Sequence, residues 1–215
     1  MYKTILFDLD GTLTDPKPGI TKSVQYALSK MGIDEEDLEK LTPFIGPPLI
    51  ASFKEFYHLT EEEAKEALQY YRERFSKVGL YENAVYEGIK ELLDTLQRQG
   101  KTLFVATSKP TVFSVKILEH FGLLHYFTGV IGSELDGTRV EKSEVIAAVL
   151  SEIENPQLQS ILMVGDRKFD ILGAQENNIA VIGVAYGYGS YAELEEAKPN
   201  YIIKTVTELK KILCE

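Results

Sequence analysis

Cysteine is almost missing from this chain, and long apolar runs are missing altogether. The single thiol, Cys214, cannot close an internal disulfide and has no second cysteine for a metal site. It fits a reducing compartment. The apolar run from Thr4 to Phe7 is too short for the core of an export signal, and Asp8 and Asp10 follow it at once. The stretch from Ile179 to Tyr186 falls far short of a membrane span. A cytoplasmic chain without a membrane partner is expected. Positive charge is also scarce: 23 Lys and Arg stand against 33 Asp and Glu, a formal net charge of −10. Such a surface repels phosphate backbones at long range and argues against a nucleic-acid partner. His58, His120 and His125 are isolated, so no His/Cys cluster points to zinc. No repeat and no low-complexity tract is present.

What is present is alternation. The 215 residues are 44 % hydrophobic, enough for a sizeable core. Short apolar segments predict strands over Lys3–Asp8, Thr102–Thr107, Gly129–Gly132, Ser160–Gly165, Ala180–Val184 and Tyr201–Ile203. Several are nearly all apolar, as strands covered on both faces must be. Between them run helical stripes. Ile89, Leu92, Leu93 and Leu96 end at Gly100, and Val112, Val115, Leu118 and Phe121 end at Gly122. Val145, Ile146, Val149, Leu150 and Ile153 form a third. Strand–helix alternation predicts an α/β fold with a parallel, Rossmann-like sheet and right-handed crossovers. From about Asp15 to Glu82 the strands stop. Ile20, Val24, Ala27, Leu28 and Met31 make one helix face, and Ala64, Ala67, Leu68, Tyr71 and Phe75 another. Thr60 with Glu63 has the form of a capping box. The expected division is an α/β core over residues 1–14 and 83–215, with a helical cap over 15–82.

Carboxylates cluster where strands end. The first strand delivers Asp8-Leu9-Asp10-Gly11-Thr12 at its C-terminal edge, the side on which open α/β sheets bind ligands. Two carboxylates this close raise each other's pKa unless a cation or a shared proton intervenes. Another buried strand leads into Gly165-Asp166-Arg167-Lys168-Phe169-Asp170. Asp166 and Asp170 share a face if a helix begins there. In a parallel sheet the two acidic ends meet on one edge, where a hard oxygen-binding cation such as Mg²⁺ fits. A third strand ends in Thr107-Ser108-Lys109-Pro110, with a hydroxyl to bond a phosphoryl oxygen. Arg139-Val140-Glu141-Lys142-Ser143 offers a compact point charge.

These segments together resemble the haloacid dehalogenase-like (HAD) hydrolases over nearly the whole length. Asp8-Leu9-Asp10-Gly11-Thr12-Leu13 matches the first family motif, Thr107 the second, Lys142 the third, and Gly165-Asp166 with Asp170 the fourth. The helical insert resembles the C1-type cap. Ile45-Gly46-Pro47-Pro48-Leu49 and Gly187-Tyr188-Gly189 resemble the phosphoglycolate phosphatase-like branch and its 5′-nucleotidase relatives. In many relatives the third-motif lysine precedes proline. Here Ser143 follows Lys142, while Lys109 precedes Pro110 and rivals it for the cationic role.

The resemblance implies a phosphatase for a small phosphate ester, a monomer or weak homodimer. Asp8 would be the nucleophile and Asp10 the general acid and base. Asp8, the Asp10 carbonyl and Asp166 would hold Mg²⁺. Asp170 is counted with the metal group, orienting a bound water or Lys142. Thr107, Ser108 and Lys109 would bind substrate, with Gly46 and Pro47 contacting it from the cap. A phosphomutase shares the same intermediate. A dehalogenase would need neither the acid nor the metal. A phospho-accepting signalling module would carry its acceptor on an internal strand without a following helical block.

Overall fold

The computed structural model describes residues 2–214. The chain divides into two compact units. The first runs to Asp15 and resumes at Val85; the second is Pro16–Ala84.

The first unit is built on β1 (Thr4–Phe7), β4 (Thr102–Pro110), β5 (Gly129–Ser133), β6 (Ile161–Gly165), β7 (Ala180–Val184) and β8 (Tyr201–Ile203), numbered along the chain. Two further short strands, β2 (Thr14–Asp15) and β3 (Ala84–Val85), pair as a separate ribbon where the chain passes between units. Two residues are too few to leave a periodicity, and the sequence reading has no strand there.

The six strands form one sheet in the order β5-β4-β1-β6-β7-β8, every neighbouring pair parallel. β1 is central. Phe7 stands opposite Val105 on one side and Val164 on the other. Ile5, Leu6 and Phe7 have no exposed surface, which is why this strand reads as unbroken apolar sequence rather than as an alternation.

The crossovers are α4 (Ile89–Arg98), α5 (Thr111–His120), α6 (Lys142–Glu152), α7 (Lys168–Glu176) and α8 (Tyr191–Ala197), and α9 (Val206–Cys214) follows the last strand. In α4 the predicted face is the buried one: Ile89, Leu92, Leu93 and Leu96 are fully covered. Each such burial contributes roughly 1.5–3 kcal/mol. Intrinsic helix propensities differ by under about 1 kcal/mol per residue, so packing decides this helix. In α5 only Leu118 of the predicted stripe is fully covered. Val112 is exposed, and the covered residues are Phe113, Ser114, Ile117 and Leu118. Apolar residues at 112, 113, 115, 117 and 118 surround this helix, so spacing alone could not choose its inner face.

The second unit contains α1 (Lys17–Lys30), α2 (Leu49–Tyr57) and α3 (Glu61–Arg74). α1 covers Ile20, Val24, Ala27 and Leu28, and packs on α3, which covers Ala64, Ala67 and Tyr71. The Thr60–Glu63 capping box forms in both directions. Thr60 N–H donates to Glu63 Oε2 at 2.8 Å, and Glu63 N–H donates to Thr60 Oγ1 at 3.3 Å. Such a cap contributes about 1 kcal/mol. No helix among the described residues is long and apolar enough to cross a membrane.

Candidate active site

The parallel register carries three sequence segments to one sheet edge. Asp8 N–H donates to Val164 O at 2.9 Å, so β1 and β6 stay paired up to their acidic ends. The chain then turns tightly: Gly11 N–H donates to Thr14 O, and both Leu13 and Thr14 N–H donate to Leu9 O. Gly11 takes a positive φ of 82° there, a conformation that disfavours side chains. Against β5, the register of β4 shifts between Ala106 and Pro110. Irregularities of this kind re-aim side chains at a strand end, and Thr107, Ser108 and Lys109 lie in this one.

Asp8, Asp10, Thr107, Lys142, Asp166 and Asp170 are all buried. One oxygen each from Asp8, Asp166 and Asp170 lie within 4.8 Å of one another. Lys142, the first residue of α6, reaches into this group from the side. Its Nζ lies 2.8 Å from Asp8 Oδ1, 2.8 Å from Asp170 Oδ1 and 3.1 Å from Ala106 O. The ammonium is thus ion-paired with two carboxylates and hydrogen-bonded to one carbonyl. Lys109 takes a different partner: its Nζ lies 2.6 Å from Asp10 Oδ2. The two lysines that competed in the sequence therefore divide the acidic cluster between them. Nothing in residue order announces the Lys109–Asp10 pair, because it joins the tips of two strands.

The carboxylates are not equivalent. Asp170 is engaged on both oxygens, by Lys142 and by the Arg167 N–H at 3.0 Å. Asp166 accepts from Tyr188 N–H at 2.7 Å on Oδ2, while its buried Oδ1 has no hydrogen-bond partner. Burial, reinforced by the charges of Asp170 and Asp8, pushes the Asp166 carboxyl well above the usual range. Burial also raises Asp170, against the pull of Lys142. It raises Asp10 too, against Lys109. Burial opposes the charge on Lys142, but Asp170 and Asp8 outweigh it and hold the ammonium above its ordinary pKa. A buried, acid-rich, all-oxygen group with an orphaned Asp166 oxygen fits a hard divalent cation, which would relieve its like-charge repulsion.

Sequence reasoning did not find Tyr188 as the partner of Asp166. The available signal was its place between two glycines just past β7, a strand that ends on the same edge. Gly46 and Pro47 lie in the second unit, in the turn leading into α2, where Gly46 has a φ of 109°. Ser108 contributes a backbone acceptor, its carbonyl receiving the Ser133 hydroxyl at 2.8 Å.

Known proteins are similar to this chain in sequence and fold. A family model described as haloacid dehalogenase-like hydrolase matches residues 5–184. A 5′-nucleotidase of Pseudomonas aeruginosa is 51 % identical over 99 % of this chain and 96 % of its own length. The tyrosine-protein kinase PtkA of Mycobacterium tuberculosis is 34 % identical, over 97 % of this chain and 72 % of its own. A phosphoglycolate phosphatase of Haemophilus influenzae is 31 % identical over 99 % and 98 %. The crystal structure of a predicted phosphatase from Clostridium acetobutylicum superposes with a TM-score of 0.96 at 51 % identity, covering 99 % of this chain and 98 % of that one. A match across four-fifths of the sequence, with the acidic strand ends in place, shows that the chain belongs to the haloacid dehalogenase-like hydrolases, among their phosphatases.

Proposed function

We propose that the chain is a Mg²⁺-dependent phosphatase that hydrolyses small phosphate monoesters through a phosphoryl group carried on Asp8, with nucleoside 5′-monophosphates the first substrates to test. The observation that carries this reading is the meeting of Asp8, Asp166 and Asp170 within reach of one ion, beside a lysine already committed to two of them. The nucleotide preference comes from the 51 % identical relative; phosphoglycolate and sugar phosphates follow from the wider resemblance.

Asp8 and Asp166 would hold the cation, together with the Asp10 carbonyl. Asp170, with both oxygens engaged, serves mainly to hold Lys142. When bound, the ion supplies charge neutralisation for the phosphoryl oxygens. The chain's own residues do the rest. A carboxylate oxygen of Asp8 attacks phosphorus, and the bond to the ester oxygen breaks. Asp10, its carboxyl raised by burial, delivers a proton to that leaving oxygen. The Asp10 carboxylate then takes a proton from water, whose oxygen attacks phosphorus and frees Asp8 and inorganic phosphate. Lys142 keeps Asp8 oriented, and the Thr107 hydroxyl donates to a phosphoryl oxygen. Lys109 can pass from Asp10 to the entering phosphate, which places a cation on the substrate as the acid is needed. Such chemistry is mainly positioning and charge stabilisation.

Phosphate release should be measured over nucleoside 5′-monophosphates, phosphoglycolate and sugar phosphates, with MgCl₂ and with chelator. Release should require the metal and favour one ester class. Equal turnover in chelator would sink the metal assignment, and silence toward every ester would sink the substrate class.

The same site predicts a pH effect. Asp166 and Asp170 have folded-state pKa values above their ordinary ones. Their neutral forms favour the fold, so this stability is complete at low pH and is lost as pH rises through the raised values. In chelator, the melting temperature should fall as pH rises from about 4 to about 6, the interval over which Asp170 gives up its proton, and the increase produced by MgCl₂ should grow over that interval. A Mg²⁺ effect that does not change with pH would contradict the assignment.

A further inference from the structure

The loop after β7 is packed around one residue, Asp166. A Cβ on Gly187 would overlap the Asp166 side chain and the Gly11 carbonyl, and one on Gly189 would overlap the Asp166 carbonyl oxygen. Gly11 closes the third side, since a Cβ there would overlap the Asp166 carboxylate. Inside this enclosure Tyr188 N–H donates to Asp166 Oδ2 at 2.7 Å, and Oδ1 is left buried without a hydrogen-bond partner. The Tyr188 side chain is anchored in turn. Its hydroxyl donates to Asp15 Oδ1, in β2, just past the Asp8–Thr12 turn. Beside it, the Tyr186 hydroxyl donates to Thr12 O at 2.9 Å, and the Tyr86 ring meets the Tyr186 ring edge-on at 5.1 Å. The loop is thus tied at both tyrosines to the segment that carries Asp8 and Asp10.

We propose that Tyr188 is a positioning residue for the cation: its hydroxyl, held by Asp15, fixes its N–H, and that N–H fixes Asp166 so that a single oxygen faces the ion. The inference rests on the cation reading given above. A carboxylate free to rotate can offer an ion either oxygen, or both. One pinned by a backbone N–H offers one oxygen in one direction, and the ordering cost is met in folding rather than in binding. The glycines are required because the pin works only if the loop backbone comes within bonding distance of the side chain it holds. The polar group that contacts Asp166 belongs to the main chain, so no substitution at Tyr188 short of proline removes it. What substitution can remove is the anchor that aims it.

The test is binding of the metal alone. MgCl₂ is titrated without ester, and the melting temperature is followed for the unaltered chain, Tyr188→Phe, Asp15→Ala and Asp15→Asn. Removing a group that orients a metal ligand typically costs about 10–100-fold in affinity. Tyr188→Phe should raise the Mg²⁺ dissociation constant about tenfold, whereas KM for the ester at saturating Mg²⁺ should move by less than about twofold. Asp15→Ala should reproduce the loss. Asp15→Asn keeps an acceptor for the hydroxyl and should recover most of the affinity. Were Tyr188→Phe too unstable to purify, the two Asp15 variants, which keep the tyrosine ring in its packing, would decide alone. An unchanged Mg²⁺ constant in Tyr188→Phe and Asp15→Ala overturns this inference while leaving the cation site standing. A rise in KM equal to the loss of Mg²⁺ affinity overturns it as well. Failure of the unaltered chain to bind Mg²⁺ overturns both readings together.

Discussion

Asp8→Asn is expected to abolish phosphate release, with kcat falling on the order of 10⁴-fold or more. Asparagine keeps the shape of this buried side chain, so the change removes chemistry and little else. An amide nitrogen or oxygen there cannot take up the phosphoryl group as a carboxylate does. The ion site should weaken without vanishing, because Asp166 keeps its orphaned oxygen. The measurement is single-turnover kinetics with the best ester, alongside Asp8→Ala to exclude slow deamidation back to aspartate. Residual turnover within about tenfold of the unaltered chain would remove Asp8 from the mechanism.

Lys142→Ala is expected to be the most damaging change to stability. It leaves Asp8 and Asp170 facing each other and Asp166 with no buried ammonium between them. Breaking one partner of a buried ion pair typically costs about 3–5 kcal/mol. In a chain of this size that is roughly 10 °C or more in melting temperature. The effect should be largest in chelator and partly reversed by MgCl₂, since an added cation can replace some of the missing charge. Lys142→Arg separates charge from geometry. It keeps the charge, but a planar guanidinium cannot present three converging donors to Asp8, Asp170 and the Ala106 carbonyl. It should recover part of the stability and little of the activity. Thermal unfolding of both variants with and without the metal is the check, and a melting temperature for Lys142→Ala within about 2 °C of the unaltered chain would refute the argument.

Different parts of this molecule were legible for different reasons. The sheet was readable because β1 and β6 are covered on both faces and must be apolar throughout. All six of its strands stand where composition put them. The acidic motifs were readable because each follows such a strand, and parallel pairing then brings their ends together. α5 was misread because apolar residues surround it, and only contact with the sheet selects Phe113 and Ile117 over Val112. The pairing of Lys109 with Asp10 and the enclosure of Asp166 by the loop around Tyr188 were not legible. Both depend on contacts between residues far apart in sequence; the first leaves no local trace, and the second leaves only the glycines on either side of Tyr188.

The place of β1 in the sheet also bears on how the enzyme comes into being. Its two neighbours arrive about 100 and about 160 residues later along the chain, so the strand that carries Asp8 is made long before either of the strands it pairs with. Until β6 is made, one edge of this very apolar strand has no mate and is open to mispairing or to a chaperone. The acidic ends of β1 and β6 therefore meet late, when the β6 flank of the sheet closes on β1.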